Sequence, residues 1–147
     1  MYKVFLIEDE IVIREALERM IPWNEYGFEL VGKAKDGEIA LPMIRKTKPD
    51  VLITDIKMPF MDGLTLSGIV KKEIPEIRIV IVSGYDDFEY ARKAIALGVD
   101  DYLLKPAIMS RRNLTMAGLY ASAAFLMAAK SIMYLRKKFI NFSVKNG

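Results

Sequence analysis

Five short apolar runs constrain this chain more than any other feature, because each of the first four is followed by a stretch with helical spacing. Such an alternation buries itself as a parallel sheet whose strands are joined by crossover helices, so the fold class is α/β. The runs are residues 2–7, 29–34, 51–54, 77–82 and 102–104. Ile13, Ala16, Leu17, Met20 and Ile21 mark the first helix, which ends before Pro22. Asp36-Gly37 opens a second through Ile39, Ala40 and Met43 to Ile44, and Asp62-Gly63 a third carrying Leu66, Ile69 and Val70. In the fourth, Asp86-Asp87 offers a cap, Phe88, Ala91 and Ile95 are expected to form a buried stripe, and Gly98 supplies the stop. Pro42 loses a hydrogen bond wherever it stands in a helix interior, so it is expected within or just past the first turn, or at a kink.

Residues 1–106 contain no internal repeat, low-complexity run or Gly/Ser linker and read as one unit. Charge divides the chain at the same place. Residues 1–106 carry a net charge of −4, whereas residues 107–147 carry +7 with no acidic residue at all. The pI near 9.0 therefore reflects the tail and says little about the partners of the body. The absence of cysteine suits a reducing compartment, and carboxylates at residues 8–10 interrupt any signal-peptide apolar region, so a cytoplasmic location is expected.

The chain has no histidine and no cysteine, which removes thiolate catalysis, zinc clusters and every His-dependent triad. Carboxylates, lysines, hydroxyls and a hard metal remain. Ligands of an open parallel sheet sit beyond the carboxyl ends of its strands, and the residues there are Glu8 and Asp9, Asp55, Ser83 and Lys105. Three carboxylates converging on one crevice repel one another unless a cation neutralises them. An all-oxygen donor set with an incomplete protein cage favours Mg2+. The available nucleophile is then a carboxylate, Asp55, of the aspartyl-phosphate kind, with Lys105 as a point charge and Ser83 as a hydroxyl donor for phosphoryl oxygens. Singly, each has a plainer reading: Glu8, Asp9 and Asp55 as caps or turn residues, Ser83 before Gly84 as a turn, Lys105 as a solvated lysine and Tyr102 as packing. Coincidence at four strand ends favours the chemical reading.

The runs Ile7-Glu8-Asp9-Glu10, Thr54-Asp55-Ile56-Lys57-Met58-Pro59-Phe60-Met61-Asp62-Gly63, Val82-Ser83-Gly84-Tyr85 and Asp101-Tyr102-Leu103-Leu104-Lys105-Pro106 resemble the receiver domain of two-component response regulators, in order and spacing. The resemblance implies a doubly wound, flavodoxin-like five-stranded parallel sheet of order 2-1-3-4-5. It implies Asp55 as phosphoacceptor, Asp9 as a direct Mg2+ ligand, Glu8 acting through water and the Lys57 carbonyl completing the protein's share of the metal site. Ser83 and Tyr102 resemble the family's switch pair, Lys105 its phosphate bridge before a cis Pro106, and Gly63 the residue that permits the tight turn. The long segment from Ile21 to Val31 resembles receivers joined to AraC-type helix-turn-helix regulators.

The tail departs from this pattern. Residues 114–135 hold 17 apolar residues in 22, enough in length to span a bilayer, but Lys130 costs roughly 3 kcal/mol near a membrane centre and six alanines keep the segment mildly hydrophobic. Leu114, Gly118, Ala121, Phe125, Ala128, Ile132, Leu135 and Phe139 follow steps of four and three, as in a pairing seam. The expected division is a receiver core at 1–106 and, at 107–147, an atypical apolar and basic helix that replaces or extends the fifth receiver helix and packs on another chain, giving a homodimer. The resemblance further implies a sensor histidine kinase as partner and transcription as output, with DNA reached only through an output domain that this sequence does not display. The competing readings are an aspartyl-phosphate phosphohydrolase, which lacks an obvious leaving-group acid here, and a phosphorylation-independent pseudo-receiver acting as a binding module.

Overall fold

The computed structural model describes residues 1–84, 88–104 and 136–137. Every apolar run becomes a strand: β1 Tyr2–Ile7, β2 Phe28–Ala34, β3 Val51–Asp55, β4 Arg78–Ser83 and β5 Asp101–Leu104. All four neighbouring pairs are parallel, and the sheet order is β2-β1-β3-β4-β5. The helices between them are α1 Ile11–Met20, α2 Gly37–Thr47, α3 Gly63–Glu73 and α4 Phe88–Ala96. The expected doubly wound α/β class and strand order both hold.

Period-two alternation along the strands sends side chains to two separate cores. Val4, Leu6, Val51, Ile53, Val80 and Val82 pack with Ile13 and Leu17 of α1 on one face. Phe5, Ile7, Leu52, Ile79 and Ile81 pack with Ala40 and Ile44 of α2, Leu66 and Val70 of α3 and Ala94 of α4 on the other. β3 is buried along its whole length, as a central strand covered on both faces must be.

Local chemistry sets the helix ends. Asp36 accepts a hydrogen bond from the Ile39 amide at 2.9 Å and Asp62 one from the Thr65 amide at 2.7 Å, so each satisfies an orphan donor of the helix it opens. Pro42 lies in the second turn of α2, just past the first. Gly98 adopts φ +81 and closes α4, with the Val99 amide donating to the Ala94 carbonyl. The long link after α1 forms a 3₁₀ turn at Trp23–Tyr26 that seats Trp23 on the α1 side of the core.

One expectation is overturned. The buried stripe of α4 is not Phe88, Ala91 and Ile95: Phe88 is 77% exposed and Ile95 75% exposed, while Ala94 is buried. Tyr90, half-buried, packs against the core beside Ala94, so the inward face of α4 runs through Tyr90 and Ala94 while Phe88 and Ile95 point outward. The Asp86-Asp87 cap, Lys105, Pro106 with its peptide bond, and the tail at residues 114–135 lie outside the described residues. Among the described residues no helix is long and apolar enough to cross a membrane.

Candidate functional site

Register brings the acidic residues to one rim. Ile7 pairs with Thr54, and Asp55 pairs with Val82, so Glu8, Asp55 and Ser83 emerge at neighbouring strand ends. Carboxylate oxygens of Glu8, Asp9 and Asp55 all lie within 4.8 Å of one another. Glu8 is 3% and Asp55 8% exposed, whereas Asp9 faces solvent. Close carboxylates in a partly buried crevice repel strongly, and their donors are all oxygen; the set fits a hard divalent cation.

Several contacts hold these groups in place. The Ile56 amide donates to Asp55 Oδ1 at 2.7 Å, which fixes the carboxylate at the strand end. The Thr54 hydroxyl donates to the Asp55 carbonyl at 2.9 Å. The Glu10 amide donates to Glu8 Oε1 at 3.3 Å, and Arg14 of α1 donates from Nη1 to the Glu8 carbonyl at 2.7 Å. A β-carbon added at Gly63 would lie 2.0 Å from the Asp55 carbonyl oxygen, while the Gly63 amide donates to the Ile56 carbonyl at 2.7 Å. Gly63 is thus required by the close approach of α3 to the end of β3. In this loop the left-handed backbone belongs instead to Phe60, at φ 68.

The capping alternatives do not account for the acids. The N-cap of α3 is Asp62, and the N-cap residue of α1 is Glu10, which makes no side-chain cap bond. Ser83 ends β4 fully buried. Tyr102, in β5, is half-buried against the α2–α4 side of the core. Lys57 is exposed, and its ammonium stands 5.5 Å from the centroid of the Tyr90 ring of α4, a cation–π approach across two elements. Sequence reasoning missed Arg14, Thr54 and Tyr90. Arg14 had a faint signal, a cation one turn into the helix after an acid pair; the other two had none.

A family model for the response regulator receiver domain matches residues 4–117. The chain belongs to that family. Its match extends eleven residues past Pro106, into the apolar tail. Among relatives, this receiver is 42% identical over 106 residues to the transcriptional regulatory protein YesN of Bacillus subtilis, a span covering 72% of this chain and 29% of YesN. It is 43% identical over 106 residues to the transcriptional regulatory protein HptR of Staphylococcus aureus, covering 72% of this chain and 41% of HptR. The receiver therefore spans less than half the length of these regulators. The solved receiver domain of AraT, a response regulator from Geobacillus stearothermophilus, superposes with a TM-score of 0.70 at 38% identity, covering 93% of this chain and 97% of that one. The resemblance to receivers of transcriptional regulators thus holds, and the family is generally one of switches rather than enzymes.

Proposed function

We propose that this receiver accepts a phosphoryl group on Asp55 from the phosphohistidine of a sensor histidine kinase, with Mg2+ held by Asp9, Asp55, the Lys57 carbonyl and, through water, Glu8. The observation that carries the proposal is the convergence of the Glu8, Asp9 and Asp55 carboxylates within 4.8 Å at the carboxyl rim of the sheet. Mg2+, when bound, offsets the acidic charge and stabilises negative charge on the transferring oxygens. An Asp55 carboxylate oxygen attacks phosphorus as the bond from phosphorus to the histidine nitrogen breaks, and the product is an acyl phosphate. Asp55 is presented for this step by the Ile56 amide on its carboxylate and the Thr54 hydroxyl on its carbonyl.

In this reading Ser83 donates its hydroxyl to a phosphoryl oxygen, Lys105 pairs with another, and Tyr102 follows Ser83 in a two-state switch whose balance the phosphoryl group shifts. The output is transcriptional, through a DNA-binding domain, and the receiver works in the cytoplasm. Residues 1–106 form the receiver core, and residues 107–147 a C-terminal helix that pairs two copies.

Intact-mass spectrometry after incubation with acetyl phosphate and Mg2+ tests the proposal. The wild type gains one phosphoryl group, and Asp55→Ala gains none. An unmodified wild type, or equal modification of Asp55→Ala, overturns it.

A further inference from the structure

Between α3 and α4 lies a surface groove of about 760 Å³ that runs from the first turn of α3 to the end of α4. Its floor is apolar, built by Leu64, Gly68 and Ile69 of α3 and by Leu97 at the end of α4. Its rim is cationic, with Lys72 from one helix and Lys93 from the other. Lysines near helix ends commonly just complement the helix dipole. Here two helices bring them to the same groove, and neither lysine makes an ion pair among the described residues. Lys71, by contrast, is committed to the fold, bonding to the Ile77 carbonyl and approaching Asp100 at 3.5 Å.

Gly68 stands in the interior of α3. Glycine weakens a helix interior relative to alanine, so its place there asks for a reason. Close packing does not supply one: a β-carbon at Gly68 would meet Leu97 Cδ2 at 3.4 Å, an ordinary contact. Gly68 lines the groove, and a side chain longer than a methyl there would project into it.

We infer that this α3–α4 groove docks an acidic amphipathic helix of a partner protein, its apolar stripe on Gly68 and Leu97 and its carboxylates on Lys72 and Lys93. The volume suits several side chains, and an apolar floor under a charged rim is how a groove reads one face of a helix. Charge complementarity selects the occupant. The chain's own residues 107–147, with seven basic residues and no acid, are repelled by the same rim. The inference goes beyond the phosphoacceptor reading and stands whether or not Asp55 is phosphorylated.

The test is fluorescence anisotropy of a labelled synthetic helix, leucine at positions i, i+3, i+4 and i+7 and glutamate elsewhere, titrated with the full 147-residue chain. Saturable binding is expected, weakened about tenfold or more by Lys72→Glu with Lys93→Glu, and likewise by Gly68→Gln, which fills the floor without changing charge. Gly68→Ala retains binding, and the thermal melt of Gly68→Gln verifies its fold. Absence of saturable binding overturns the inference, as does equal weakening by Lys46→Glu with Lys48→Glu at the C-terminal end of α2, outside the groove lining. Sedimentation showing a dimer of this chain that Gly68→Gln abolishes also overturns it, since a second copy then fills the groove.

Discussion

At the residue scale, the site depends on backbone approach as much as on side-chain chemistry. Asp55 and Asp9 were legible because they coincide with other polar residues at successive strand ends, where a single acid would read as a cap or turn, and the structure brings them together with Glu8. Gly63 was legible as the glycine of the turn, and the structure adds what its place there supplies, room beside the Asp55 carbonyl, a distance that no local pattern encodes. Lys57 was read for its carbonyl, and the partnership of its side chain with Tyr90, 33 positions further on, exists only in three dimensions. Gly63→Ala is expected to destabilise the receiver by about 2–3 kcal/mol, since a backbone clash has no flexible end to yield. Urea unfolding measures this, and a midpoint equal to that of wild type would show that the β3–α3 junction relaxes freely.

At the element scale, the strands were the most legible parts because each is a continuous apolar run bounded by turn residues, and all five fall within a residue or two of expectation. Helix α4 was misread for a physical reason. It carries apolar residues on more than one face, and periodicity cannot tell which face the sheet takes; the inward face is that of Ala94 and half-buried Tyr90. Caps were read more reliably, since Asp62 does what an aspartate before a helix is suited to do. Asp62→Ala should cost about 1 kcal/mol in a thermal or urea melt and leave the acid cluster assembled, because Asp62 belongs to the helix start and not to that cluster. Between α2 and α3, Arg45 donates from Nε and Nη2 to the two Glu73 oxygens at 2.9 and 2.7 Å. These hydrogen bonds hold the Glu73 carboxyl below its usual range. A depressed carboxylate contributes its stability above the unfolded pKa and loses it as pH falls through the folded one. The stability gap between wild type and Glu73→Gln is therefore expected to be present at neutral pH, to vanish in acid and to shrink with added salt. A gap that widens toward low pH would contradict that pairing.

At the scale of the whole molecule, two cores on the faces of one sheet deliver the loops of its carboxyl rim to a single place, and that delivery turns scattered acids into a site. The alternation of apolar runs carried this architecture in the sequence. What it did not carry was the three-dimensional detail, such as the opening between α3 and α4 or the outward turn of Phe88. Of the three adjacent carboxylates Asp55 is the proposed acceptor, and borohydride reduction of the acyl phosphate followed by peptide mapping distinguishes them. After incubation with acetyl phosphate and Mg2+, the reduced residue is expected at position 55 alone, with Glu8 and Asp9 intact. Reduction at Glu8 or Asp9, or at no carboxylate of the rim, would contradict the account.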